Sequence, residues 1–337
     1  MTKVVSWDEL NFDTEGATLL LGNGASIAVS DRFNYKSLYE QAKKHELLCT
    51  DAQAVFDEFK QTNFESVMRV LAEAERVSTA LGQRFDTRDH VNAIRNALIQ
   101  VVRLVHPKPG DVNGSSDDRT VEQCLQPAAE FAGRFETIVT FNYDLLLYWM
   151  LMQENHLFGD CFYRPADSEH LVFNGGQISR KSTVFYAHGA LFLAREAATG
   201  LEFKVVPSGS QKLIECVINS LEKKGRDTLY VSEGDDDSKL KAIRSSPYLS
   251  HVHYNVLGKM SDGVVAYGLS FSDKYLAKLL GDHPPKHLAV AVQGKDDDER
   301  GSRAAELQGC LSRNSQIDFF DAESPGCWIH PPKAASL

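Results

Sequence analysis

Three apolar runs, far apart in the chain, end in polar residues that a buried strand does not need. They are Leu19-Leu-Leu-Gly-Asn-Gly-Ala-Ser26, Ile138-Val-Thr-Phe-Asn-Tyr-Asp144 and Val184-Phe-Tyr-Ala-His-Gly189. Short apolar runs without alternation read as strands covered on both faces, the kind found in parallel sheets. Open parallel sheets bind ligands outside the carboxyl ends of their strands. The three runs therefore predict an α/β fold with a site assembled from their ends.

The rest of the pattern agrees. A first core strand over 17–21 runs into a turn and a helix. Helical spacing follows over 51–77 (Val55, Phe56, Phe59, then Phe64, Val67, Met68, Leu71), where Thr62 and Glu65 fit a capping box. It continues over 90–105 with Val91, Ile94, Leu98, Val101 and Val102. Pro107, Pro109, Gly110 and the stretch 113–118 read as a loop. A helical insertion at about 35–130 is thus expected between the first and second core strands. The second strand is placed at 137–141, followed by a helix over 145–153, and the third at 183–187. A hairpin is expected from 191–193 and 201–206. Strands at 228–232, 264–269, 287–293 and 317–320 then alternate with helices over 238–245 and onward through 257, over 274–280 and over 303–311. Alternation of this kind predicts a Rossmann-like, mostly parallel sheet covered on both faces, in one domain spanning 1–337.

Composition narrows the function. The apolar share is 43% and the charged share 24%, as in ordinary globular proteins. No apolar run nears the ~20 residues that span a bilayer, and the start lacks a secretory core, so a cytoplasmic location is expected. A net charge of −10 with no Lys/Arg-rich tract argues against broad nucleic-acid binding. The six cysteines include no Cys-x-x-Cys pair, so neither structural zinc nor any other metal is expected.

Each candidate residue carries two readings. Gly22, Asn23, Gly24, Ala25 and Ser26 can face an anion with their backbone N–H groups, or can be a plain strand–helix turn that uses glycine for positive φ. Asn142 and Asp144 alternate at a strand end and can orient a hydroxyl or a water, while Asp144 can also simply cap the next helix. His188 can be a base or a satisfied core histidine. His251 and His253 lie two apart in a helix and read as structural. Gly268-Leu-Ser270 repeats the strand–turn–helix logic, with Ser272 or Asp273 as cap, and Asp235-Asp236-Asp237 reads as a solvated helix start.

In order and spacing these segments resemble the sirtuins. That family carries a Gly-Ala-Gly-Ile-Ser turn, a Thr-Gln-Asn-Ile-Asp strand end, a catalytic His before Gly and a later Gly-Thr/Ser-Ser turn. Here they match Gly22–Ser26, Thr140-Phe-Asn-Tyr-Asp144, His188-Gly189 and Gly268-Leu-Ser270. Asp31-Arg32-Phe33 stands where sirtuins have Asp-Phe-Arg, with the order changed, which transfers a ligand role to Phe33 alone. The closer similarity is to sirtuin-like proteins of bacterial antiphage defence and their relatives of unknown function. Tyr230-Val-Ser-Glu-Gly234 and Lys239-Leu-Lys-Ala-Ile-Arg-Ser-Ser246 resemble that branch. Phe141 replaces the sirtuin Gln, and the zinc cysteines of the deacylases are absent.

The resemblance implies a sirtuin-like fold that cleaves NAD+, as substrate, to nicotinamide and ADP-ribose. It implies His188 as base, Asn142 orienting ribose or water, and Asp144 holding the nicotinamide amide. Gly22, Asn23, Gly24, Ala25 and Ser26 would cradle the pyrophosphate, and Gly268 and Ser270 would approach the adenosine ribose. It also implies restraint by assembly, in a homo-oligomer or with a defence-system partner such as a hexameric ATPase. Three alternatives stand beside it: a sensor that binds NAD or ADP-ribose without cutting it, a deacylase or ADP-ribosyltransferase, and an assembly subunit whose insertion binds a partner.

Overall fold

In the computed structural model the apolar runs become adjacent strands of one sheet. The structure describes residues 3–108, 110–111, 119–154, 156–168, 170–175, 181–196, 198–207, 213–221, 226–230, 236–271, 274–311 and 315–333. Several expectations (the loop at 113–118, the motif after Tyr230, Asp235, Ser272 and Asp273) lie outside the described residues.

Strand β1 (Val4–Val5) is followed by β2 (Thr18–Leu21), a Thr-Leu-Leu-Leu run buried at every position, and by helix α1 (Asn23–Val29). The insertion then comprises α2 (Tyr35–Lys44), α3 (Thr50–Glu58), α4 (Phe64–Ala80), α5 (Arg88–Val105) and α6 (Val121–Ala132). Strand β3 (Thr137–Thr140) returns the chain to the sheet, with α7 (Leu146–Gln153) and the short β4 (Phe158–Gly159) after it. Next come β5 (Phe162–Tyr163), β6 (Leu171–Phe173), β7 (Ser182–Tyr186), β8 (Gly189–Glu196) and β9 (Glu202–Lys204). The last part holds α8 (Leu213–Leu221), β10 (Arg226–Tyr230), α9 (Asp236–Ser245) and α10 (Pro247–His251). It closes with β11 (Gly263–Tyr267), α11 (Lys274–Asp282), β12 (His287–Val292), α12 (Asp297–Cys310) and β13 (Gln316–Asp321).

The main sheet has eight strands in the order β1-β13-β12-β11-β2-β3-β7-β4, and every pairing in it is parallel. Taking β2, β3, β7, β11, β12 and β13 as core strands one to six gives the Rossmann order 3-2-1-4-5-6. The direction of winding reverses between β2 and β11, the place where such sheets take their ligands. Register completes the argument. Tyr267, Leu21, Thr140 and Tyr186 lie in one row across β11, β2, β3 and β7. The residues that follow them therefore emerge together at one carboxyl edge.

The helices of the insertion pack on one another within the same continuous core as the sheet. Ile94, Ala97, Leu98, Val101, Val102 and Val105 form a buried stripe at helical spacing on α5, which packs against α2, α3 and α4. Tyr39 stacks on Phe56 at 4.8 Å, and Phe64 meets Phe56 edge-on at 5.1 Å. Burying side chains of this size contributes about 1.5–3 kcal/mol each. The expected capping box of Thr62 and Glu65 is not what starts α4. Asn63 does so, its Oδ1 accepting the Ser66 N–H at 3.1 Å, because the helix begins one residue later than the Thr-x-x-Glu pattern requires.

Two further expectations change. The strand expected at 228–232 is not a parallel core strand: β10 pairs antiparallel with β8 in a second sheet of order β10-β8-β9-β6-β5. The long β8 offers it an edge that the apolar pattern alone cannot reveal. The helix expected to run through 257 stops at His251 and continues as a π-helical turn at Val252–Val256 and a 3-10 turn at Leu257–Lys259.

Candidate functional site

The two glycine turns are shaped by each other. A Cβ on Gly22 would stand 2.4 Å from the Gly268 carbonyl oxygen, and one on Gly24 would stand 2.6 Å from the Gly268 Cα. On Gly268, whose φ is +70°, a Cβ would meet the Ala25 nitrogen at 2.4 Å. Gly22 itself has φ −102°, so close approach, not positive φ, demands glycine there. Gly22 donates its N–H to Tyr267 O at 2.9 Å, Gly24 to Gly268 O at 3.0 Å and Ala25 to Gly22 O at 2.9 Å. These amides, which the sequence offers to an anion, are engaged inside the protein.

A hydrogen-bond chain ties the turn to the next strand. The Asn142 amide Nδ2 donates to Gly22 O and to Ser26 Oγ, both at 2.8 Å. The carbonyl at Gly22 can only accept, which fixes which end of the amide faces it. With both amide protons used, the Ser26 hydroxyl donates onward to Asp144 Oδ2 at 2.6 Å. Asp144 Oδ1 accepts the Leu146 N–H at 2.8 Å, a bond to the residue two on that closes the turn ahead of Leu145, the N-cap of α7. Asp144 is buried, and each of its oxygens keeps a second lone-pair site. Asn142 keeps its Oδ1.

His188 follows β7 and is buried, with its ring edge-on to Phe141 at 5.1 Å. The chain before it is held from behind. The Tyr248 hydroxyl oxygen accepts the Tyr186 N–H at 2.8 Å, and His253 Nε2 donates to Ala187 O at 2.8 Å. The π-helical turn supplies His253, so its structural role is positional support for the catalytic candidate. Trp328 does the same for the glycine turn, donating its indole N–H to Ala25 O at 2.9 Å.

These pieces surround one cavity of about 390 Å3, lined among others by Gly22, Asn23, Gly24, Asn142, Asp144 and His188. Gly268, Ser270 and Phe33 line it too. The volume suits a small-molecule site. Ala25 and Ser26, named with the ligand-binding turn, are buried behind the cavity and do not line it. Phe33 points inward while Arg32 is exposed and pairs with Asp111 at 2.9 Å, which sorts out the altered order of that element. Asn23 Nδ2 ties the glycine turn to it through Phe33 O at 3.3 Å. Phe271, a lining residue, sits at φ +53°, a strained conformation for a bulky residue and one that gathers at functional sites.

The insertion supplies residues that the motifs did not reveal. Asn63, Ser66 and Arg69 of the α4 start, and Leu98 and Val102 of α5, line the same cavity. Just past α5, His106 joins the insertion to the sheet. Its Nε2 accepts the Leu145 N–H at 2.9 Å, which leaves the proton on Nδ1, facing Pro107 O at 3.1 Å. Phe33 and Trp149 meet it edge-on at 5.6 and 4.6 Å. Burial lowers its pKa from the usual 6.5, against a smaller opposite pull from the Asp144 carboxylate.

Among the described residues no group of three or more His, Cys, Asp or Glu could hold a metal ion, and no helix is long and apolar enough to cross a membrane. The profile of the domain of unknown function DUF4917 matches residues 19–328. The chain belongs to that family. The DUF4917 span begins within β2 and ends at the tryptophan that braces α1, so it contains every residue of the cavity. No curated protein matches the chain.

Proposed function

We propose that this DUF4917 protein is an NAD+ glycohydrolase that cleaves NAD+ to nicotinamide and ADP-ribose. The observation that carries this reading is the convergence of His188, Asn142 and Asp144 with the Gly22–Gly24 and Gly268 turns on one cavity at the switch point of a Rossmann-ordered sheet. Nicotinamide leaves a ribosyl cation-like centre as a neutral ring, so its departure needs positioning more than acid assistance. Water attacks the ribose C1′, the glycosidic electron pair goes to the nicotinamide nitrogen, and the water's proton goes to His188. Asn142 contributes Oδ1 as acceptor for a ribose hydroxyl or that water, since its amide protons hold Gly22 and Ser26. Asp144 accepts the nicotinamide amide on a remaining lone pair. Gly22, Asn23 and Gly24 lie along the dinucleotide, Gly268 and Ser270 near the adenosine ribose, and Phe33 against the ligand. Ala25 and Ser26 act from behind.

The same reading takes the protein as cytoplasmic and as part of bacterial antiphage defence, its activity restrained in a homo-oligomer or by a partner such as a hexameric ATPase. One observation favours a second reading, a sensor that binds NAD without cutting it: the Asn142 amide and both Asp144 oxygens already serve the fold. Nicotinamide release from NAD+ by the purified chain separates the two. Release is expected, and a His188→Gln variant, which keeps the packing volume, is expected to lose roughly 10²–10⁴-fold of it. Binding of ADP-ribose without release by the wild type would leave the sensor, and full turnover by the variant would remove His188 from the reaction.

A further inference from the structure

A dinucleotide carries two phosphates, and the glycine turn does not offer them the amides of Gly22, Gly24 and Ala25, which are bonded within the protein. The buried Asp144 carboxylate lines the same cavity and repels an anion. The chain as a whole carries −10, so no diffuse positive field attracts one. A local cation is required, and among the described residues that line the cavity, Arg69 is the one Lys or Arg.

Arg69 lies on α4, three residues after Ser66 and six after Asn63, and all three line the cavity. Spacing of three brings helical residues together on one face. The Arg69 side chain is exposed and has no ion pair or hydrogen bond among the described residues. Its planar guanidinium presents paired N–H donors that match two phosphate oxygens. Resting on the NAD+ reading, we infer that Arg69, with Ser66 beside it, forms an anion subsite that takes the diphosphate of a nucleotide ligand. The insertion, not the glycine turn, then reads the phosphates. The sheet edge handles the cationic nicotinamide riboside end.

Calorimetric titration of the full-length protein tests this with three probes: ADP-ribose, inorganic pyrophosphate and adenosine. Arg69→Gln is expected to weaken ADP-ribose and pyrophosphate by about 10–100-fold and to leave adenosine unchanged. Arg69→Lys, which keeps the charge and loses the fork, is expected to recover part of that loss. Added salt should weaken the wild type more than Arg69→Gln. Equal ADP-ribose affinity in wild type and Arg69→Gln would overturn the subsite and leave the NAD+ reading standing. Pyrophosphate binding that depends on Arg69, with no binding of ADP-ribose, would keep the subsite and sink the NAD+ reading. A wild type that binds neither anion overturns both. A loss that extends equally to adenosine, with no recovery in Arg69→Lys, makes Arg69 structural and also overturns the inference.

Discussion

The two walls of the cavity are built differently. On the sheet edge, Gly22, Ser26, Asn142, Asp144 and Gly268 hold one another through backbone contact and consecutive hydrogen bonds. On the insertion, Ser66 and Arg69 stand on one helix whose apolar face does the packing, and Arg69 has no partner among the described residues. The first wall is stable because its polar groups satisfy each other, and for that reason it has little to change without cost. The second draws its stability from Phe64, Val67, Met68 and Leu71, which are buried. Its polar face can therefore vary with the ligand. On the proposed reading, geometry belongs to one wall and selectivity to the other.

The largest contrast should appear at two glycines that share a left-handed backbone. Gly268 has φ +70° and neighbours at 2.4 Å from an added Cβ, whereas Gly82, between α4 and α5, has φ +72° and nothing within 4 Å. Gly82→Ala is expected to cost only the backbone term, roughly 1–2 kcal/mol. Gly268→Ala adds overpacking against backbone that cannot move aside, for a total of about 3 kcal/mol or more. Urea denaturation of the two variants measures the difference. Equal losses would mean that the turns are not held as tightly as their contacts indicate.

A smaller contrast separates two serines. Ser26→Ala leaves one Asn142 amide proton and one Asp144 oxygen without their buried partner, at a cost of about 1–3 kcal/mol. Ser66→Ala, on the insertion's polar face, is expected to stay within about 0.5 kcal/mol of wild type. Thermal unfolding of both checks this, and a Ser26→Ala variant as stable as Ser66→Ala would show that the hydrogen-bond chain contributes nothing net.

How much of this was legible in the sequence follows from the range of each interaction. The strands β2, β3 and β7 show in the sequence because burial on both faces makes a continuous apolar run, and α5 shows because its stripe repeats at helical spacing. The polar ends were visible for the same reason: they interrupt a pattern. The use made of them was not. That Gly24 is a glycine because of Gly268, or that the Asn142 amide faces Gly22, depends on the register of strands distant in the chain. No local pattern carries that information. Arg69 left no signal at all, since an exposed cation on an amphipathic helix is ordinary. The antiparallel sheet was missed in part because β5, β6 and β9 are two or three residues long, too short to show a period.

The smallest effect concerns the seam between the walls. His106 ends the insertion's α5, yet its Nε2 accepts the N–H of Leu145, the residue after Asp144. A protonated ring has no lone pair there, so charging His106 breaks that bond and sets a cation among Phe33 and Trp149. Its folded pKa is lowered from 6.5, chiefly by burial. The unfolded chain therefore binds more protons below about pH 6.5, and stability falls as pH drops through the window between the two values. The slope can reach at most about 1.4 kcal/mol per pH unit from this group. His106→Gln removes the titration. Urea midpoints measured from pH 7.5 to 5.5 should fall more steeply for the wild type than for His106→Gln. Parallel slopes would mean that the seam does not feel the proton, and that the insertion is joined to the sheet edge by its aromatic contacts alone.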